Sequence, residues 1–286
     1  VGVVALGTHQ HSRAVRQVVR AAAAGLHSCP GAPVALPEAG VLPAGVVTGG
    51  VGALGRLVAA WLVTQRGAER VALQARSGRG RLGGLEASMG AATSCCTRLA
   101  RVDLACSEEV SSELAAGDRA AVSVLHAGGA LADATLARQS CSGVAAGCAP
   151  KVDGARRLEE GTRALATAQV VMFSSVAALL GSGGQANYSA ANAALDAAAE
   201  GRRAAGLSGL SVQWGAWAGG GMASEATLGR LERLGLGSVE PGRGLAALQA
   251  LVVTRSCCST APPAVVGACP FAWSRMPSEL LSTMGP

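Results

Sequence analysis

The sequence predicts an α/β fold: a doubly wound parallel sheet held between two layers of helices, α/β/α. Three observations predict it. From Gly45 onward, short β-branched runs alternate with Ala/Leu-rich stretches of helical length. One of those runs, VVMFSS at 170–175, is mostly apolar without alternation, as a strand covered on both faces should be. A glycine-rich turn, TGGVGALG at 48–55, falls where the first strand hands over to the first helix.

In order, the pattern gives a strand at 45–48, a helix at 53–66, a strand at 70–75, a strand near 98–103, a helix at 107–116 and a strand at 121–126. A helix near 150–166 follows, then a strand at 168–174, a helix at 187–205, a strand at 209–214, a helix at 241–253 and a strand at 264–268. Strands separated by helices of such length join through right-handed crossovers, which makes the sheet parallel. Pro43 and Gly45 weaken the first strand, because Pro donates no ladder bond and Gly brings no side chain to pack. Ahead of it, residues 13–24 suit one helix, and the Gly/Pro-rich run 29–43 reads as a linker.

Composition narrows the function. A chain of 286 residues, half of them hydrophobic, can bury one large core. The formal charge is +6, yet the arginines are scattered and no basic block is interleaved with aromatics, which argues against nucleic acid. An anionic cofactor or an acidic partner accounts for the balance equally well. The nine cysteines are odd in number and show no C-x-x-C or zinc-finger spacing, so they read as free thiols of a reducing compartment. His9 and His11 form an H-x-H that nothing nearby completes, and no metal is expected. The uncharged stretches 164–195 and 204–224 are broken by polar residues and glycines, short of the ~20 apolar residues a membrane span needs. The chain starts at Val1, so it reads as a piece of something longer; the expected location is cytoplasmic, or organellar if a targeting segment lies outside it.

The turn at 48–55 is a weak signal by itself in a chain with 40 glycines, but its context is that of a phosphate cradle. Gly50, Gly52 and Gly55 fit G-x-G-x-x-G, with Thr48, Gly49 and Leu54 around them. Such glycines let the backbone turn tightly and approach a pyrophosphate at a helix N-terminus, which makes the fold Rossmann-type. About 20 residues further on, where NAD enzymes place an acid on the ribose, stand Arg76 and Ser77. A guanidinium there suits a 2′-phosphate, and so favours NADPH.

Beyond these residues, the chain resembles the ketoreductase domain of modular polyketide synthases, within the short-chain dehydrogenase/reductase superfamily. The matching pieces are TGGVGALG (48–55), ARSG (75–78), HAGGALAD (126–133), PKVDG (150–154), FSSVAALLGSGGQANYSAAN (173–192) and WGAWAGGGMA (214–223). The resemblance implies a catalytic tetrad of Lys151, Ser175, Tyr188 and Asn192. In the wider superfamily a Lys stands four residues after the Tyr; here Asn192 stands there and Lys151 comes from the preceding segment. The chemistry agrees with the assignment. Ketone reduction needs an acid for the developing alkoxide, and Tyr188 serves once a neighbouring cation brings its pKa of ~10 down towards neutrality. Lys151 is the only lysine and Tyr188 the only tyrosine. Ser175, at the carboxyl end of a buried strand, can donate to the carbonyl oxygen.

The resemblance also places Asp103 and Leu104 on the adenine side, and His126, Ala127 and Gly128 beside the nicotinamide. Asp133 matches the last position of a Leu-Asp-Asp triplet, here Leu131–Ala132–Asp133. With Leu180 where other members carry Trp, it implies the D (3R) alcohol. Trp214, Trp217 and Met222 resemble the segment leading into a substrate lid. Residues 45–275 are then the NADPH-binding catalytic domain and 276–286 a C-terminal linker, while residues 1–44 form a linker or the remnant of an upstream subdomain. The family's reductase-like upstream subdomain is larger than that stretch, so it was clipped or is lacking. The implied substrate is a β-ketoacyl thioester on an acyl carrier protein, reduced to a β-hydroxyacyl thioester among neighbouring synthase domains. The alternatives are a free-standing short-chain reductase of a small ketone, or a silent domain kept for architecture.

Overall fold

The computed structural model describes residues 3–4, 44–78, 95–104, 106–115, 122–163, 169–257 and 263–275. The expected helix at 13–24 and the linkers at 29–43 and 276–286 lie outside them, as does Pro43. The strands are β1 (Val3–Val4), β2 (Ala44–Thr48), β3 (Arg70–Ala75), β4 (Cys96–Arg101), β5 (Val122–His126), β6 (Gln169–Ser175), β7 (Leu210–Trp214) and β8 (Val265–Ala268). The helices are α1 (Ala53–Arg66), α2 (Ser107–Ala115), α3 (Cys141–Cys148), α4 (Gly154–Thr162), α5 (Ala177–Leu180), α6 (Ala186–Ala204), α7 (Glu225–Arg233) and α8 (Pro241–Cys257).

The sheet has the order β1-β8-β7-β6-β5-β2-β3-β4, parallel throughout except for β1 against β8. Successive residues of a strand face opposite sides, and two cores result. Val47 of β2 joins α1 and α8 on one face, with Val58, Leu62, Leu248 and Val252. Its neighbour Val46 joins α2, α4 and α6 on the other, with Val110, Leu158 and Leu195. This is the expected three-layer arrangement. The strand order reverses between β2 and β5: the chain steps outward through β3 and β4, then returns to the far side of β2. Loops leaving the carboxyl ends of β2 and β5 therefore diverge and open a crevice.

Gly45 does not weaken β2, all of which is buried. A Cβ at this position would lie 2.8 Å from Leu62 Cδ1, so the missing side chain is what lets α1 cross the strand closely. Strand β4 starts two residues earlier than the pattern suggested, and β1 adds an antiparallel edge the pattern did not show. The helix expected near 150–166 is two segments, a π-helical turn at Ala149–Asp153 and α4, and α3 precedes them where no helix was expected. Pro150 lacks the N–H that an α-ladder needs, and the ladder widens there. Arg202 of α6, only 2% exposed, clamps the assembly from beneath by pairing with Glu159 and donating to Thr162 Oγ1 at 3.0 Å and Ser208 O at 2.7 Å. Among the described residues, no helix is long and apolar enough to cross a membrane.

Candidate active site

The crevice is floored by a hydrogen-bonded bridge between its two strands. Thr48 ends β2, His126 ends β5, and the two are register partners. Thr48 Oγ1 lies 2.7 Å from His126 Nδ1, and His126 Nε2 lies 3.3 Å from the Lys151 carbonyl. A carbonyl only accepts, so Nε2 carries the proton and Nδ1 is left as the acceptor of the Thr48 hydroxyl. Thr48 Oγ1 in turn accepts from Gly128 N–H at 3.2 Å. Burial, helped by the neighbouring Lys151 charge, pushes the His126 ring down to about 3, so it is neutral.

The glycines sit where nothing larger fits. Gly49 has φ of +66°, and a Cβ there would lie 2.9 Å from Gly128 Cα. A Cβ on Gly55 would run into the Gly49 carbonyl, and one on Gly50 would lie 2.9 Å from Val47 O. Gly52 caps α1 without a side-chain bond, and the first turn holds no acid, which leaves its N–H groups to an anion. Leu54 and Ala127 pack against the core below. Arg76 and Ser77 follow β3 and are exposed at the crevice rim. Asp103 follows β4, its backbone N–H bound by Glu109 Oε2 at 2.7 Å, and the buried Leu104 beside it reaches towards Gly128 and Gly154. A cradle with no room for a Cβ at Gly49, Gly50 or Gly55, at a helix N-terminus and with an exposed cation just after β3, fits a dinucleotide.

The tetrad is brought together from three elements. The widened π turn sends Lys151 inward; it is 3% exposed, donates from Nζ to Phe173 O at 2.8 Å, and stands 5.8 Å from the centre of the Tyr188 ring. Burial lowers its ammonium to about 8, against a raising effect of Asp196. Ser175 ends β6, Tyr188 lies in the first turn of α6, and Asn192 one turn later donates from Nδ2 to Tyr188 O at 2.8 Å. The Tyr188 phenol differs from expectation. Burial raises it above its ordinary value, hydrogen bonding to Ser175 and Asn192 offsets part of the rise, and Asp133 adds to it. Desolvation of the phenolate dominates, while Lys151 stands over the face of the ring.

Around the substrate side the outcome is mixed. Trp214 and Trp217 are core residues, not lid residues: their rings meet tilted, with centres 4.9 Å apart, and lie in the apolar cluster with Phe173, because β7 and the bend after it deliver them to the face under α1 and α8. Met222 is half-exposed and does reach the site; a Cβ on Gly129 would lie 3.4 Å from its Cε and 3.1 Å from Lys151 Cε. Leu180 and Leu231 of α7 both pack against the buried cluster of Val176, Leu236 and Cys269. Asp133 Oδ2 accepts from Gln185 Nε2 at 3.0 Å, Gln185 Oε1 from Ser182 Oγ at 2.8 Å, and Ser182 Oγ from Arg230 Nη2 at 3.2 Å.

Sequence reasoning missed that chain, which ties Asp133 to α7. It also missed the buried Asn187, whose Nδ2 donates to Ala132 O at 2.8 Å and whose Oδ1 accepts from Tyr188 N–H at 2.8 Å. Only its position beside Tyr188 could have flagged it.

A family profile described as KR domain matches residues 44–219. Polyketide synthase GfsA of Streptomyces halstedii is 41% identical over 259 residues, which is 82% of this chain and 3% of the relative. Polyketide synthase GfsB of the same organism is 43% identical over 203 residues, 68% of this chain and 4% of the relative. A solved structure of A-type ketoreductases from a modular polyketide synthase superposes with a TM-score of 0.77 at 32% identity, covering 90% of this chain and 55% of that one. The chain thus spans a few per cent of these curated relatives and about half of that structure.

The bridge under the crevice predicts a single tautomer. Long-range ¹H–¹⁵N spectra should show His126 as the Nε2–H form, unchanged between about pH 5 and 8. Its folded pKa lies below that of an exposed ring, at ~6.5, so the unfolded chain takes up a proton that the folded chain refuses. Stability from this group is therefore full above about pH 6.5 and falls as the pH drops towards 3. A ring that titrates near neutrality in the folded chain would show the bridge to be absent.

Proposed function

The chain belongs to the KR domain family, and from that premise we propose that it reduces a β-ketoacyl thioester, carried on an acyl carrier protein, to the D (3R) β-hydroxyacyl thioester with NADPH. Membership makes it an oxidoreductase of the short-chain dehydrogenase/reductase type, with a nicotinamide cofactor implied by the fold. One observation carries the reading: the only lysine and the only tyrosine of the chain meet, Lys151 Nζ over the Tyr188 ring, with Ser175 hydrogen-bonded to the phenol.

A bound reduced nicotinamide supplies the hydride. The side chains supply the rest. Ser175 and Tyr188 hold the carbonyl oxygen between two hydroxyl donors, and Tyr188 passes its proton to the developing alkoxide. The raised phenol is a donor that stays loaded at neutral pH. The Lys151 ammonium, close by in a low-dielectric site, favours the phenolate left behind. Asn192 fixes the first turn of α6 through the Tyr188 carbonyl. Gly49, Gly50, Gly52 and Gly55 would hold the pyrophosphate, and Arg76 the 2′-phosphate. Neighbouring synthase domains would deliver the carrier protein.

Replacing Tyr188 by Phe should lower reduction by ~10²–10⁴-fold and leave dinucleotide affinity unchanged, because only the proton donor is lost. Turnover of a diketide thioester and fluorescence titration with the dinucleotide measure both; full turnover in the variant would overturn the tetrad.

Wild-type kcat/KM should favour NADPH over NADH, and Arg76→Ala should narrow the gap. Equal use of both by the wild type, unchanged in the variant, would remove Arg76 as the discriminator.

The product should be the D (3R) alcohol. Asp133, anchored through Gln185 and Ser182 to Arg230 of α7, guards one side from which substrate can approach. A preference of about 2.7 kcal/mol between the two approaches is hundredfold selectivity. Chiral chromatography of the reduced thioester decides it, and a predominantly L (3S) product would refute this role for Asp133.

A further inference from the structure

The proton-transfer scheme leaves one charged group unused. Asp196 lies on α6 one turn after Asn192 and two turns after Tyr188, so the three share a helix face. Below that face runs the side of the sheet that carries Ser174, Ser211 and Gln213, since Ser174 and Gln213 are register partners and Ser211 precedes Gln213 by two. Ser211 Oγ donates to Asp196 Oδ1 at 2.6 Å, and Gln213 Nε2 donates to Oδ2 at 2.8 Å. The Ser174 hydroxyl donates instead to the Asn192 carbonyl at 3.2 Å. Two neutral donors from β7 hold this carboxylate in one orientation and favour its ionised form against burial, which raises it.

The neighbouring strand, β6, holds Lys151. Its Nζ rests on the carbonyl of Phe173, next in sequence to Ser174. The groups that face Lys151 are few. From β5 comes His126, neutral and bound to the Lys151 carbonyl. From α6 come Tyr188, below whose ring face it stands, and Asp196. On its own turn, Asp153 acts on Cys148 instead. Among the described residues, Asp196 is the one negative charge that acts on the ammonium, and the effect is mutual.

We infer that Asp196 is a positioning residue: the fixed counter-charge, anchored on β7 beneath α6, that keeps Lys151 protonated beside Tyr188. A buried ammonium on a neutral carbonyl would otherwise shed its proton near neutral pH, and the site would lose the cation that favours the phenolate. The inference rests on the tetrad reading for its purpose, but not for its test.

Because Lys151 is the only lysine, ¹³C-labelled lysine gives a single Cε resonance that reports its titration in the whole chain. Asp196→Asn should lower that midpoint by about one pH unit, and the alkaline limb of kcat/KM should move down with it. A purely structural role would lower the melting temperature and leave the midpoint in place, and an unmoved midpoint overturns the inference whatever becomes of the reductase reading. A moved midpoint in a chain that reduces no β-ketoacyl thioester at any pH keeps the counter-charge and removes the function proposed for the site. If the Asn chain does not fold, Asp196→Ser, smaller and also neutral, carries the same measurement.

Discussion

The neutral imidazole of His126 is where the cofactor side and the catalytic side of this site are joined. It fills the gap at the carboxyl ends of β2 and β5, the two strands between which the chain reverses direction. It accepts from Thr48 on one side and donates to the Lys151 carbonyl on the other. Thr48 belongs to the glycine turn, and Lys151 to the π turn before α4. Buried polar groups in such a chain must all be satisfied, and here each proton has one place to go. Gly128, which touches Gly49 closely, is held by the same hydroxyl. The cradle and the tetrad therefore cannot shift independently.

Above that floor the site is an exercise in desolvation. An ammonium, a phenol and a carboxylate sit within two turns of α6 and the ends of β6 and β7. Burial acts on each towards its neutral form: the lysine down, the tyrosine and the aspartate up. Opposing it are hydrogen bonds from serines and amides and the attraction between Lys151 and Asp196. The balance leaves a loaded phenol and a cation close by, which is what proton donation to an alkoxide requires. On the open side, α7 is tied down twice, by Leu231 against the cluster of Val176, Leu236 and Cys269 and by Arg230 through Ser182 and Gln185 to Asp133.

Much of this was legible in the sequence, for physical reasons. Strand and helix periodicity gave the parallel sheet, because a doubly covered strand has to be apolar on both faces. The glycine spacing identified the cradle, because no Cβ fits at Gly49, Gly50 or Gly55. A single Lys and a single Tyr in matching motifs pointed to each other. The legible part failed where one residue type serves two ends. Trp214 and Trp217 carried a lid motif, but the alternation of β7 and the bend after it send them into the core. Gly45 read as a weak point in a strand and is instead the room into which Leu62 fits. The π turn was hidden although Pro150 stood in plain view, since a proline predicts a broken ladder but not which side chain the break will turn inward.

By itself, the sequence determined the fold class, the position of the glycine turn and the identity of the four residues proposed as a tetrad, because those depend on local periodicity, on the size of glycine and on motif spacing along the chain. Tertiary structure alone decided the tautomer of His126, the raised phenol of Tyr188, the tie from Asp133 to α7 and the mutual influence of Lys151 and Asp196. Each of these depends on how far side chains from different elements are removed from water and on which donor meets which acceptor. Those quantities exist only once β5, β6, β7 and α6 have been packed together.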